Sequence, residues 1–181
     1  MIKYLFILIF FFIVSANAEN KENIINNLKN TKNINFDFEQ NINEKIEKGN
    51  CIIEYPKKIY CEYLGSKNKI LVSNGKSLVI KTITSYYLYP LDKTPLNIIL
   101  DKNFLIKKIN SLDERTIDNK IINFTLVENN NEINVFFDNK TFNLIGWQTK
   151  DIYQNLNVTY LSSIIKNQQV VKNLFKLPTQ N

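Results

Sequence analysis

No histidine occurs among the 181 residues. Its absence removes the usual general base, the commonest metal ligand and every Ser-His or Cys-His nucleophile pair. The four glycines are isolated, so there is no Gly-rich phosphate loop. Two cysteines without histidine make a poor zinc site. Carboxylates remain, and a pair of them suffices for glycoside hydrolysis, but no spacing among the 17 Asp and Glu residues singles a pair out. The sequence therefore predicts a protein that is not an enzyme, with no catalytic residue, no metal and no cofactor.

Cys51 and Cys61 are the other groups with chemistry of their own. They lie on the two arms of a predicted hairpin and share parity with Ile53 and Ile59, so both face one side of a sheet. A turn centred on Pro56 sets them directly opposite, within reach of a cross-strand disulfide. A loop of only Pro56-Lys57-Lys58 sets Cys61 against Ile53 and leaves the pair diagonal. In an oxidising compartment the disulfide is the expectation; the alternative is two small buried apolar residues.

The compartment follows from the N-terminus. Lys3, the apolar run Tyr4–Val14 and the small-residue site Ser15-Ala16-Asn17-Ala18 form the three parts of a secretory signal peptide. The run is too short for a spanning helix. The sequence thus divides into a signal peptide over 1–18 and one domain over 19–181. Position 19 is Glu, not the Cys that a lipid anchor needs, so the product is expected to be soluble and periplasmic. The net charge of +6 is scattered, with no basic run that reads as a nucleic-acid stripe. Asn-x-Thr triplets at Asn123, Asn139 and Asn157 would be glycan acceptors in a eukaryotic secretory pathway.

These residues must be positioned mainly by strands. Ile24, Ile25 and Leu28 give one helical stripe between Glu19 and Thr31. The period then becomes two, with Phe36, Phe38 and Ile42 on one parity. Predicted hairpins follow, turning at Pro56-Lys57-Lys58, at Asn74-Gly75, at Asn129-Asn130-Asn131 and at Tyr153-Gln154-Asn155. Tyr86–Tyr89 adds a strand. Between the two groups of hairpins lies a helical insert, with Thr94 as N-cap, Pro95 in the first position and Leu96-Asn97-Ile98-Ile99-Leu100 in apolar helical spacing. Phe104–Ile109 continues as a second short helix. The pattern is an antiparallel sandwich or barrel with helices. Trp147 reads as a packing anchor, and Gly146 before it as a bulge or close backbone approach.

The ordered set of motifs resembles the outer-membrane lipoprotein carrier family. The stretch Gly49-Asn50-Cys51-Ile52-Ile53-Glu54-Tyr55-Pro56-Lys57-Lys58-Ile59-Tyr60-Cys61-Glu62-Tyr63 is similar to that family's early hairpin. Ile70-Leu71-Val72-Ser73-Asn74-Gly75-Lys76-Ser77-Leu78 resembles its valine-serine-aspartate-glycine turn. Tyr89-Pro90-Leu91-Asp92-Lys93-Thr94-Pro95-Leu96 resembles the corresponding segment of its alphaproteobacterial branch. Val135-Phe136-Phe137-Asp138 and Leu144-Ile145-Gly146-Trp147-Gln148-Thr149-Lys150-Asp151 resemble its late hairpin, and Phe175 to Pro178 its closing segment.

The resemblance implies a mainly β, α+β fold: an incomplete antiparallel barrel of about eleven strands with a helical lid. It implies a carrier that takes acylated lipoproteins from an inner-membrane extracting ABC transporter and delivers them to an outer-membrane receptor lipoprotein. A monomer is expected. Inward parity on the early strands assigns a lipid-binding cavity to Phe36, Phe38, Ile53, Ile70, Val72, Leu78 and Ile80, and a lid to Leu96, Ile99 and Leu100. The family's gating Arg before the hairpin proline is replaced here by Tyr55. A phenol lacks the five charged donors of a guanidinium and can offer one hydrogen bond to a helix carbonyl. The alternatives are a periplasmic lipid- or lipoprotein-sensing regulatory module with the same fold, and a small-lipid binder.

Overall fold

The computed structural model describes residues 16–65, 68–128, 131–150 and 155–180, with no side-chain placement for 16–18 and 131. The expected leader over 1–15, the Asn129-Asn130 part of one expected turn and Tyr153-Gln154 of another lie outside the described residues.

The chain opens with α1 (Ala16–Asn30), which buries Ile24, Ile25 and Leu28 as one stripe. Glu19 in its first turn and Lys29 in its last suit the helix dipole. Six strands follow: β1 (Asn33–Ile42), β2 (Lys45–Glu54), β3 (Lys58–Tyr63), β4 (Ile70–Asn74), β5 (Ser77–Lys81) and β6 (Tyr86–Pro90). A 3-10 turn at Leu91–Lys93 leads into α2 (Leu96–Leu100) and α3 (Lys102–Ser111). The chain ends with β7 (Arg115–Ile117), β8 (Ile121–Glu128), β9 (Asn131–Asp138), β10 (Leu144–Lys150) and β11 (Leu156–Lys166).

All eleven strands form one antiparallel sheet in the order β6-β5-β4-β3-β2-β1-β11-β10-β9-β8-β7. The first and last strands pair in its middle, and β6 and β7 are its two unpaired edges. The barrel is therefore incomplete, and the helical insert spans from one edge to the other. Its apolar side chains join those of one sheet face in a single core that includes Phe36, Ile53, Ile59, Ile99, Leu105, Ile109, Phe124 and Phe137.

The β2–β3 register resolves the hairpin alternatives. Glu54 pairs with Lys58, so the loop is Tyr55-Pro56-Lys57 and Cys51 stands opposite Cys61. The two are joined by a disulfide across a Cα–Cα distance of 4.1 Å. Lys57 takes the left-handed conformation (φ 67°) that a turn this tight requires.

Two local features differ from the sequence reading. Thr94 does not cap α2: its hydroxyl donates to the carbonyl of Leu91 at 2.8 Å, closing the preceding 3-10 turn, and Pro95 occupies the N-cap position. Asp101 both ends α2 and caps α3, accepting from Phe104 N at 3.1 Å. Gly146 sits at a register shift between β10 and β9, where an added Cβ would lie 2.5 Å from the carbonyl oxygen of Thr159. The bulge and the close approach read from the sequence are both present.

The disulfide closes a loop with a sequence separation of 10. In the chain-entropy picture a loop of that size restricts the unfolded chain by about 2–3 kcal/mol. Urea denaturation of the Cys51→Ala/Cys61→Ala double variant is expected to show a loss of that order. Non-reducing peptide mapping of the wild-type protein should recover the 51–61 cross-link.

Candidate functional site

The inward face is set by strand parity. On β1 and β2 it carries Phe36, Phe38, Gly49, Cys51 and Ile53; on β3, Ile59, Cys61 and Tyr63; on β4 and β5, Leu71, Leu78 and Ile80. Between this face and α2 lies a cavity of about 200 Å³. Phe36, Phe38, Cys51, Ile59, Cys61, Tyr63, Leu71 and Leu78 form its sheet wall, and Leu96 and Ile99 close it from the helix side. Trp147, expected as a packing anchor, is buried and lies on the wall from β10.

The early-strand assignments separate into three groups. Phe36, Phe38 and Leu78 line the cavity. Ile53 and Ile80 share the inward face but stand off the cavity, with Ile53 fully buried opposite Ile59 and Ile80 half-buried opposite Leu71. Ile70 and Val72 point to the convex side, because the β3–β4 register pairs Leu71 with Cys61. Val72 is nonetheless buried, as is its β5 partner Val79. The C-terminal segment covers this region. Phe175 takes the Lys58 ammonium over its ring, Pro178 O accepts from the Tyr86 hydroxyl, and Thr179 O accepts from Lys81 Nζ.

Gly49 shapes the wall. A Cβ there would fall 2.0 Å from the Glu62 carbonyl oxygen and 2.7 Å from Phe38 Cε1. The Phe38 ring lies over the space that glycine leaves and meets Tyr63 edge-on, with centroids 5.0 Å apart. Lys69 sits over the Tyr63 ring at 4.0 Å and pairs with the buried carboxylate of Glu47 at 2.6 Å. Lys45 adds a second contact to Glu47 at 3.3 Å. Burial pushes the Glu47 carboxyl up, but its hydrogen bonds and charge contacts with Lys69 and Lys45 outweigh this and hold it below 4.5. Burial, with the charge of Glu47, holds the Tyr63 phenol protonated.

The lid is held by the β2–β3 loop. The backbone N–H of Lys57 donates to the carbonyl of Leu100 at 2.9 Å, and its ammonium pairs with Asp101 at 3.1 Å. The Lys57 carbonyl in turn accepts from the buried Ser73 hydroxyl at 3.1 Å. Tyr55 is placed differently. It borders a small separate cleft with Leu28, Thr31, Ile34 and Leu144, away from the main cavity. Lys102 lies over its ring at 5.5 Å, and burial pushes its phenol well up. Among the described residues its hydroxyl bonds no helix carbonyl. Leu100, assigned to the lid, is fully buried and supplies the carbonyl that Lys57 binds.

Sequence reasoning missed Lys57 and Asp101, whose pairing depends on the turn type. It also missed Gln40, Thr149, Asn157 and Thr159, which line the far end of the cavity from β1, β10 and β11. Parity alone would have placed Gln40 beside Phe38 and Phe36, but polarity argued against it. Among the described residues no group of three metal-ligating side chains occurs, and no helix is long and apolar enough to cross a membrane.

The molecule is thus an unclosed antiparallel half-barrel with a helix-covered, largely apolar cavity. The family model for the outer membrane lipoprotein carrier protein LolA matches residues 28–178, and the chain belongs to that family. This membership supports a lipid- or lipoprotein-binding role. None of the curated proteins matches the chain. Among solved structures it is similar to an uncharacterized conserved protein from Thermus thermophilus, with 7% identity, a TM-score of 0.54, and coverage of 92% of this chain and 96% of that one. It is similar to the MucA/MucB complex of Pseudomonas aeruginosa, with 10% identity, a TM-score of 0.51, and coverage of 90% of this chain and 62% of that one. A LolA superfamily protein from Nitrosomonas europaea matches at 6% identity and a TM-score of 0.47, over 91% of this chain and 99% of that one.

Two outcomes follow from this geometry. Lys57→Ala removes the ion pair to Asp101 but keeps the backbone bond. Global stability is expected to fall by less than about 1 kcal/mol, while amide exchange over 96–104 speeds up; unchanged exchange there would remove Lys57 from the latch. The Glu47 carboxyl has a folded value below its ordinary one. Its contribution is therefore complete above about pH 4.5 and is lost as pH falls through the folded value. Glu47→Gln is expected to flatten the fall in stability below pH 4.5, measured by urea denaturation between about pH 3 and pH 7.

Proposed function

We propose that the protein is a periplasmic carrier that takes acylated lipoproteins from the inner membrane, shields their acyl chains in the cavity beneath α2, and delivers them to the outer membrane. The observation that carries this reading is the apolar cavity closed by a helix that the β2–β3 loop clips through Lys57. Acyl burial is worth about 0.8 kcal/mol per methylene, so a chain crossing water has to be enclosed. At about 200 Å³ the cavity is smaller than the roughly 300–1,000 Å³ of sites that enclose drug-sized ligands. Loading therefore requires α2 to lift. Binding and release make no bonds, in keeping with a chain that contains no histidine.

In this reading residues 1–18 are a signal peptide, residues 19–181 form the carrier domain, and the donor and acceptor are an inner-membrane extracting ABC transporter and an outer-membrane receptor lipoprotein. A lipid- or lipoprotein-sensing regulatory module of the same fold is the second reading. It is compatible with the fold likeness to MucB, which has been solved together with MucA.

The test is transfer of a labelled triacylated lipoprotein from inner-membrane vesicles, with the matching transporter and ATP, into the soluble fraction. Wild-type protein purified from the periplasm, beginning at Glu19, is expected to extract it. Ile99→Lys puts an unpaired charge into an apolar contact, which is costly to desolvate, and is expected to abolish retention while the sheet stays folded. No extraction by saturating wild-type protein would exclude the carrier, and capture of a membrane regulator instead would establish the sensor.

A further inference from the structure

The cavity is not apolar throughout. Along β1 the inward residues run Phe36, Phe38, Gln40, so the face turns polar within about 13 Å, at roughly 3.3 Å per residue. The change extends across neighbouring strands in register. Gln40 pairs with Thr159 on β11, Thr159 with Trp147 on β10, and Asn157 with Thr149. Gln40, Thr149, Asn157 and Thr159 all line the same cavity as Leu78 and Ile99.

Part of their hydrogen-bonding capacity is used internally. Gln40 Nε2 donates to Asn157 Oδ1 at 2.9 Å and to Thr159 Oγ1 at 3.3 Å. Among the described residues, Gln40 Oε1, Asn157 Nδ2 and the Thr149 hydroxyl have no partner in the protein. One acceptor, one amide donor and one hydroxyl are thus left for a ligand. No charged side chain lines the cavity among the described residues. The nearest carboxylate in this row, Glu47 opposite Gln40, is paired with both Lys69 and Lys45, and none of the three lines the cavity. A ligand carboxylate or phosphate would therefore lose water without finding a counter-charge.

Exposure gives the direction. Gln40, Thr149 and Asn157 are half-buried, whereas Leu78 and Ile99 at the other end are buried. The polar row thus opens to solvent through Gln40, Thr149 and Asn157; Leu71 and Leu96 on the apolar side are half-buried as well, and Leu78 and Ile99 lie deepest.

Resting on the carrier reading, we propose that this polar row is a subsite for the uncharged ester and amide linkages of an acylated ligand. The acyl chain runs inward toward Leu78 and Ile99, and the linkage carbonyls are held at the mouth by Asn157 Nδ2 and the Thr149 hydroxyl. Linkage hydroxyl or amide N–H groups face Gln40 Oε1. The cavity then selects neutral-linked acyl groups over free fatty acids, and it fixes which end of the ligand leaves first.

The experiment uses the protein lacking residues 1–18 and N-phenyl-1-naphthylamine as a bound apolar dye. The dye is displaced by 1-monopalmitoylglycerol, by N-palmitoylethanolamine or by palmitate at pH 8. Wild-type protein is expected to release it to the two neutral amphiphiles at about tenfold lower concentration than to palmitate. Asn157→Leu and Thr149→Val should each raise the neutral amphiphile concentration needed by about 3- to 10-fold relative to the dye affinity measured for the same variant. Equal displacement by palmitate in the wild type, which needs no variant to fold, overturns the subsite while leaving the carrier reading intact. So do variants that fold and take up the dye but whose preference for neutral amphiphiles over palmitate is unaltered. A wild-type protein that takes up neither dye nor amphiphile overturns the carrier reading together with the subsite.

Discussion

The sheet does not close, and that constraint governs the rest of the molecule. Its apolar inward face is left open between the edge strands β6 and β7, which do not meet. A closed barrel would hide that face by backbone pairing, which is cooperative and permanent on a functional timescale. An open one has to be covered by side chains from elsewhere. Here the cover is the connection between the two edge strands, carrying α2 and α3. Burial of Ile98, Ile99, Leu100, Leu105 and Ile109 is what makes that connection part of the core. The pairing of β1 with β11 ties the two ends of the domain together at the centre of the sheet. The strands are therefore joined to one another by backbone pairing, and the insert is joined to them mainly through buried side chains.

That division explains how local features cooperate. The disulfide joins β2 and β3 on the cavity wall, next to the loop that clips α2. Gly49 lets the Phe38 ring lie flat against the sheet, so the aromatic pair with Tyr63 narrows the cavity without pushing strands apart. Tyr63 then leads to the Lys69–Glu47 pair at the polar end. Stiff covalent and aromatic contacts thus cluster on the sheet. The contacts across to the lid are apolar side chains, one backbone hydrogen bond and a partly exposed ion pair.

Most of the fold was legible because its signals are local. Alternation in Asn33–Ile42 and Lys45–Glu54, the Asn74-Gly75 turn and the apolar spacing in Leu96–Leu100 each fix an element without reference to the others. The site was less legible for two reasons. Ile70-Leu71-Val72 is apolar at every position, so periodicity gives no parity; both faces of β4 are covered, one by the core and the other by the C-terminal segment. The role of Lys57 needed the turn geometry, since a one-residue change of loop moves its backbone N–H away from Leu100. Tyr55 was expected at the gate from the resemblance alone, but the loop conformation sends its side chain toward α1 and Lys102, and Lys57 is the loop residue that contacts the end of α2.

In the proposed carrier, the energetics of the lid bear on loading and release. The ion pair of Lys57 is partly exposed and contributes at most about 1 kcal/mol, and its backbone hydrogen bond a similar amount. Each buried Ile or Leu of α2 contributes about 1.5–3 kcal/mol relative to water, so apolar burial dominates closure. An incoming acyl chain offers the same kind of surface to the same residues. It substitutes for apolar lid contacts, so the polar contacts to be broken as α2 lifts are those of Lys57 to Leu100 and Asp101. The exchange between a lid packed on the sheet and a lid packed on an acyl chain is then close to balanced, and small polar terms decide its direction. Those terms are located at the two places where the cavity boundary is polar: the Lys57–Asp101 clip on α2 and the Gln40–Asn157–Thr159 row at the mouth. In that proposal, a receptor engaging either one would tip the balance without supplying more than a few kcal/mol.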